Sequence, residues 1–218
     1  MKKYIAEFLG TFFLVSVVVG SGIMAANLSS GNDGVALLGN TIATGAILFV
    51  IIKMFGPISG AHFNPIVSFI FFLRKELSFK SLWAYILIQV ISGILAVFLM
   101  HYIFNIEILQ ISNHSMRVPN APFSLLVSEI VATFGLIATI LFIRKNDDSS
   151  VAIGVALFIT AGYWFTSSTS FANPAVTIAR MFTDTFTGIS PSSVPYFLFG
   201  QLIGGLLIHY LFNILDDK

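Results

Sequence analysis

The sequence predicts an all-α membrane protein with six transmembrane helices and two re-entrant half-helices arranged as an inverted repeat. Three observations predict it. The chain of 218 residues is 56% hydrophobic and only 10% charged, with a mean hydropathy of +0.92. A soluble domain carries about a quarter charged residues, so this chain has too few to cover a water-facing surface. Several apolar runs reach the roughly 20 residues that a helix needs to cross a ~30 Å hydrocarbon core. Finally, Asn64-Pro65-Ile66 is answered 109 residues later by Asn173-Pro174-Ala175, each copy following a loop of small residues.

The spanning helices are expected over about residues 4–26, 35–55, 81–105, 122–144, 150–168 and 193–214. Polar breaks at Asn27–Gly34, Ile106–Pro119, Asn146–Ser149 and Gly188–Ser193 separate them. Two apolar stretches, about 64–74 and 173–183, are too short to span and read as re-entrant half-helices. Both begin at an Asn-Pro unit. Asn is a good N-cap because its side chain accepts from a free backbone N–H, and Pro suits the first helical position, where its missing donor costs nothing. Residues 1–218 read as one domain: a first repeat over 1–105, an inverted second repeat over 122–218, and a connection at 106–121.

The repeat is visible in the residues. Ala6-Glu7-Phe8-Leu9-Gly10-Thr11-Phe12 matches Ser128-Glu129-Ile130-Val131-Ala132-Thr133-Phe134, and Gln89 with Gly93 matches Gln201 with Gly205. Three spans in each half insert the second copy upside down, a plan common in transport proteins. Lys2, Lys3, Lys53, Arg74, Lys75, Lys80, Arg144, Lys145 and Lys218 fall on one side of this arrangement, with only Arg117 and Arg180 on the other. The positive-inside rule therefore puts both ends of the chain in the cytoplasm. Met1-Lys2-Lys3 before an apolar run also resembles a signal peptide, with Ala25-Ala26 as a cleavage site. The length of that run, Glu7 within it and its repetition in the second half argue for a retained helix.

Non-helical backbone at membrane depth is tolerated only where it is buried in protein or lines a water-filled cavity. Two loops that dip to the midplane therefore imply a pore or an occluded site. Carbonyls of Ser59–Phe63 and Ser168–Ala172 would line one wall, and the amides of Asn64 and Asn173 would supply donors at the centre. Half-helix N-termini converging from opposite faces concentrate positive potential there, which repels cations and protons while neutral solutes pass. Glu7 and Glu129 lie within apolar helices. An intramembrane carboxylate suggests a proton relay, but the matched positions favour a scaffold that accepts from free N–H groups of the loops. Gln89 and Gln201 belong to the same scaffold. His62 is placed to line the pore.

The net charge of +1 argues against a nucleic-acid partner, and the absence of cysteine excludes disulfides and thiolate metal sites. His101, His114 and His209 have no metal-ligand spacing, and no catalytic constellation is evident, so neither a metal site nor an enzyme is expected.

With these motifs in view, nearly the whole chain resembles the aquaporins, the major intrinsic protein family. The resemblance rests on Ala6–Phe12, Ser59-Gly60-Ala61-His62-Phe63-Asn64-Pro65, Ser170-Phe171-Ala172-Asn173-Pro174-Ala175 and the paired Gln/Gly helices. It implies a homotetramer in the lipid bilayer, each subunit holding its own passive pore, with no cofactor and no energy coupling. It also carries over a four-residue constriction onto Thr44, Ala161, Ser170 and Val176. Water-selective members place an Arg where Val176 stands, usually with a bulky aromatic at the first position and His at the second. Glycerol facilitators usually have Arg-Asp where this chain has Val176-Thr177. A wide, Arg-less filter is therefore expected.

The run Asn173–Arg180 followed by Phe182-Thr183-Asp184-Thr185-Phe186 is similar to the bacterial aquaporins associated with arsenic resistance. That resemblance implies arsenite and related neutral metalloid hydroxides as solutes, beside water or glycerol, and a bacterial-type inner membrane. An ordinary water or glycerol facilitator, or a proton-coupled transporter, are the alternatives. Arg180 lies one turn from Val176, about 6 Å along the same helix face. It either supplies a cation near the mouth or pairs with Asp184 away from the pore. Ile66 departs from the usual Ala and is expected to alter packing where the half-helices meet.

Overall fold

The computed structural model describes residues 1–114 and 122–216. Among them are eight α-helices and no strand: α1 (Lys2–Leu28), α2 (Asp33–Ser59), α3 (Pro65–Leu73), α4 (Phe79–Ile103), α5 (Pro122–Asn146), α6 (Val151–Phe165), α7 (Pro174–Arg180) and α8 (Val194–Asp216). A single 3-10 turn, Asp148–Ser150, leads into α6. Six of the helices are long and apolar enough to cross a membrane, while α3 and α7 are the two short ones.

Local chemistry sets the ends. The Asn32 side chain accepts from Val35 N–H at 3.1 Å to open α2, and Ser78 accepts from Ser81 N–H at 3.2 Å to open α4. Helix α2 runs through Gly56-Pro57 rather than stopping at 55. Pro57 forfeits one ladder bond without ending the helix, and Gly60, left-handed at φ +88°, ends it four residues beyond Gly56. Helix α6 stops at Phe165, short of the expected 168. Thr166 turns extended there, and its hydroxyl donates back to Gly162 O at 2.7 Å. Helix α7 likewise ends at Arg180 rather than 183.

Helix α1 packs on α2 and α4, α5 packs on α8 and α6, and α2 closes the ring against α6. The half-helices sit inside and exchange partners. Helix α3, from the first half, packs on α8 as well as α4; α7, from the second half, packs on α4 as well as α8; and α3 and α7 touch each other. Small residues permit this, Gly93 of α4 lying against Ala175 and Ala179 of α7 and Gly205 of α8 against Ile66 of α3, and they also bring α8 onto α5. Gly200 and Gly204 lie so close to the Leu126 and Ile130 carbonyls of α5 that a Cβ has no room, the close backbone approach favoured between membrane helices.

The outer face of the bundle is apolar, with Ile42, Phe49, Trp83, Leu87, Leu157, Trp164 and Phe199 exposed, whereas Glu7, Gln89, Glu129 and Gln201 are fully buried. Water-soluble cores show the reverse.

On the face that carries the chain's ends, Lys3 Nζ donates to Ser81 Oγ at 2.9 Å, Arg144 pairs with Glu76 at 2.6 Å, and Lys145 pairs with Asp216. On the far face, His101 binds Thr183 Oγ1 at 2.8 Å through Nε2 and Ile108 O at 2.9 Å through Nδ1. Ser112 N–H donates to Met181 O at 2.9 Å and Asn113 N–H to Asp184 Oδ1 at 2.8 Å. The described part of the expected connecting loop, residues 106–114, is thereby pinned against the segment that follows α7. The remainder of that loop, with Arg117, lies outside the described residues, as does Lys218.

Candidate functional site

The site begins with two strained loops. Ala61, Phe63, Ser170 and Ala172 all adopt left-handed backbone, at φ +52°, +48°, +52° and +47°. They form two pairs 109 residues apart, the same offset as the Asn-Pro units. Such conformations cost about 1 kcal/mol or more per residue outside glycine, and surrounding structure must hold them.

Glu7 and Glu129 hold them. Glu7 Oε1 accepts from His62 N–H (2.9 Å) and the Ser59 hydroxyl (2.7 Å), while Oε2 accepts from Phe63 N–H (2.7 Å) and Gln89 Nε2 (2.8 Å). Glu129 repeats the pattern. Its Oε1 accepts from Phe171 N–H (3.0 Å) and the Ser168 hydroxyl (2.5 Å), and its Oε2 from Ala172 N–H (2.8 Å) and Gln201 Nε2 (2.6 Å). Each Gln also donates to the first turn of its half-helix, Gln89 to Ser68 Oγ at 3.1 Å and Gln201 to Thr177 Oγ1 at 2.9 Å. Four donors fill each carboxylate.

The two Asn side chains lock the halves together. Asn64 Oδ1 accepts from Ile66 N–H at 2.9 Å, and its Nδ2 donates to Ala172 O at 2.7 Å. Asn173 Oδ1 accepts from Ala175 N–H (3.0 Å) and Val176 N–H (3.3 Å), and its Nδ2 donates to Phe63 O at 2.9 Å. An amide NH₂ has two donors. Each Asn thus spends one on the opposite loop and keeps one beside the cavity that both residues line.

That central cavity has a volume of about 90 Å³, room for several waters. Its walls are mainly apolar, including Leu14, Val18, Leu48 and Ile159, with polar groups concentrated at the loops. Toward the chain-end face it meets a vestibule of about 490 Å³ that shares Phe71 and contains Lys53, Arg144 and Asp148. Toward the far face a small cavity, lined by Asn40, Thr169 and Thr187 among others, shares Arg180 with it.

Of the four constriction positions read from the sequence, Thr44, Ser170 and Val176 line the central cavity. Ala161 does not. It is exposed on the outer face of α6, and Tyr163 occupies the lumen side instead. Two residues turn an α-helix by about 200°. Counting back from Val176 across the irregular segment between α6 and α7 fixes the distance along the helix but not the face. Tyr163 OH lies 3.2 Å from Thr44 Oγ1, which itself donates to Asn40 O at 2.8 Å. Ser170 packs against Gly162, where an added Cβ would come within 2.6 Å of Ser170 Oγ. The Ser170 hydroxyl finds no protein partner among the described residues.

Arg180 is buried and enters the cavity. Its guanidinium lies 3.5 Å above the centre of the Phe171 ring, and its Nε donates to Thr187 O. Asp184, four residues further on, accepts from Asn113 N–H instead. At the opposite end His62 lines the cavity between Phe71, at 4.7 Å between ring centres, and Tyr85, at 5.3 Å. Its Nδ1 is 3.1 Å from Ser68 Oγ, which already accepts from Gln89. With the Ser68 proton assigned to Nδ1, Nε2–H is the ring's donor. Ile66 points away from the lumen and packs where Gly205 leaves room for it on α8. Tyr163, Phe71, Phe171 and Thr187 went unrecognised as lining or supporting residues in the sequence. Only the 109-residue offset, which pairs His62 with Phe171 and Phe71 with Arg180, could have flagged two of them, Phe171 and Phe71.

This geometry has relatives. The family model described as "Major intrinsic protein" matches residues 1–150. The chain belongs to the major intrinsic protein family. It is 49% identical over 205 residues to aquaglyceroporin AqpS of Rhizobium meliloti (strain 1021), covering 94% of this chain and 86% of that one. It is 26% identical over 219 residues to aquaporin TIP2-3 of Arabidopsis thaliana, covering 98% and 86%. Among solved structures, that of the aquaglyceroporin from Plasmodium falciparum superposes with a TM-score of 0.72 at 21% identity, covering 99% of this chain and 96% of that one, and shares the fold. Major intrinsic proteins are integral membrane channels, and this chain is a passive channel protein rather than an enzyme.

Proposed function

We propose that the protein is a passive channel for small neutral solutes, passing water and glycerol-sized molecules, with metalloid hydroxides such as arsenous acid among them. The observation that carries this reading is the cavity itself. It runs between the two half-helix starts, mostly apolar, with one unspent N–H on each of Asn64 and Asn173 and a valine at position 176. A solute with several hydroxyls meets donors at the centre without meeting an arginine from the first turn of α7. Helix N-termini directed at the same point disfavour cations. Thr44, Tyr163, Ser170 and Val176 form the constriction, and His62 adds a donor on the other side.

Glu7 and Glu129 act as scaffold, since each carboxylate is already filled by four donors and faces loop backbone. That arrangement disfavours proton-coupled transport. The chain-end face, with Lys2, Lys3, Lys53, Arg74, Lys75, Lys80, Arg144 and Lys145, is the cytoplasmic side of a bacterial-type inner membrane. Four copies assemble through their apolar outer faces, each with its own pore.

Stopped-flow light scattering on proteoliposomes tests the proposal. Water, glycerol and arsenous acid should each enter faster than in empty liposomes, with no dependence on an imposed pH gradient. Rates at the empty-liposome level would remove the channel reading, and a gradient-dependent rate would favour a coupled transporter.

A further inference from the structure

We propose that Arg180 controls selectivity at the far mouth, presenting its guanidinium edge to the passing solute and taking over, one helical turn outward, the place left open at Val176. This rests on the channel reading above and sharpens it, because the filter then has a cation after all.

The geometry separates this role from that of a structural anchor. Arg180 is the last residue of α7 and is 4% exposed. It lines both the central cavity and the small far-side cavity, so its side chain lies at their junction. Two contacts orient it: the Phe171 ring beneath the guanidinium plane and the Thr187 carbonyl on Nε. A guanidinium has five N–H donors. No other protein hydrogen bond and no carboxylate partner engages it among the described residues. A cation used only to pin Thr187 would leave four donors unused in a buried site, an expensive arrangement unless something in the lumen accepts from them. Among the described residues, the hydroxyls of Ser170 and Thr187, both buried and both on these cavity walls, also find no protein partner. An arginine edge with two open hydroxyls suits a solute rich in hydroxyl oxygens, and its charge opposes protons and metal cations.

The test uses full-length protein in liposomes, with wild type, Arg180→Met and Arg180→Lys compared for water, glycerol and erythritol entry and for proton leak by an entrapped pH dye. Wild type must first exceed empty liposomes for water and glycerol; if it does not, the channel reading fails and this proposal goes with it. Given a working channel, Arg180→Met should raise the erythritol-to-water permeability ratio severalfold and open a proton leak. Arg180→Lys should keep protons out while losing part of the size discrimination, which keeps the proposal testable if the Met variant does not fold. Unchanged ratios in a folded variant, or an equal loss of all three solutes, would overturn it, because a purely structural arginine does not alter one solute against another.

Discussion

The two halves of the molecule agree in their loops and differ in what stands beside them. Around Glu7 and Glu129 the same eight hydrogen bonds recur, four per carboxylate, and the same residues turn left-handed. One position out, the symmetry stops. His62 packs at a tilt on Phe71 at the chain-end side, and the Arg180 guanidinium lies over Phe171 at the far side, each pair related to the other by the 109-residue offset. Both pairs keep an aromatic ring in contact with a nitrogen-bearing planar group, but the order along the chain is reversed. The lesson is a division of labour. The carboxylate scaffold positions backbone and tolerates little change. The two ring pairs face the lumen, where each half can suit a different aqueous compartment.

The most damaging way to break this comparison is at the carboxylates. Glu7→Ala and Glu129→Ala each orphan two buried backbone N–H groups. At about 1–3 kcal/mol per unsatisfied group, each should cost roughly 2–6 kcal/mol. Thermal unfolding in detergent should show similar losses for both, with the Glu→Gln variants milder. A large loss in one half and none in the other would end the claim of equivalent scaffolds.

A smaller effect is expected at Gly162. Gly162→Ala brings a methyl within 2.7 Å of Ser170 Cβ and must push that side chain toward the lumen. Glycerol entry should fall severalfold and water less. Equal falls would mean that Ser170 does not shape the narrow part.

The smallest effect concerns the loop between α3 and α4, where Glu76 is clamped between Arg74 and Arg144. Partial burial raises the Glu76 carboxyl, but hydrogen bonds and charge from Arg144 and Arg74 hold it below its ordinary 4.5. A depressed carboxyl stabilises the fold above its unfolded-state value, and that stability is lost as pH falls through the folded-state value. Wild type should therefore lose stability slightly below about pH 4.5, and Glu76→Gln should flatten that dependence. An identical acid profile in the variant would show that the clamp does not contribute.

Sequence patterning reached the fold and the scaffold because both rest on strong signals. Apolar length identifies spans, Asn-Pro marks a helix start, and a buried Glu repeated at a matched place must serve something that is also repeated. Asn64, Asn173, Glu7, Glu129, Gln89 and Gln201 were legible for that reason. Ala161 failed because spacing across an irregular loop leaves the helix phase undetermined, and an error of two residues exchanges lumen for lipid. Arg180 stayed open between two roles because an i,i+4 acid is a plausible partner on any helix. The helix ends at Arg180, so Asp184 is not on a continuing turn, and it serves Asn113 instead. Phe71 and Phe171 were hidden among 23 phenylalanines, most of them lipid-facing or core residues by default.

The central claim is that solutes larger than water pass where the half-helices meet because no arginine stands at position 176. Val176→Arg tests it most directly, by comparing glycerol and water permeability of the same proteoliposomes before and after the substitution. The account predicts that glycerol entry falls well below that of wild type while water entry is largely kept. Loss of both in equal proportion, or of neither, would contradict it.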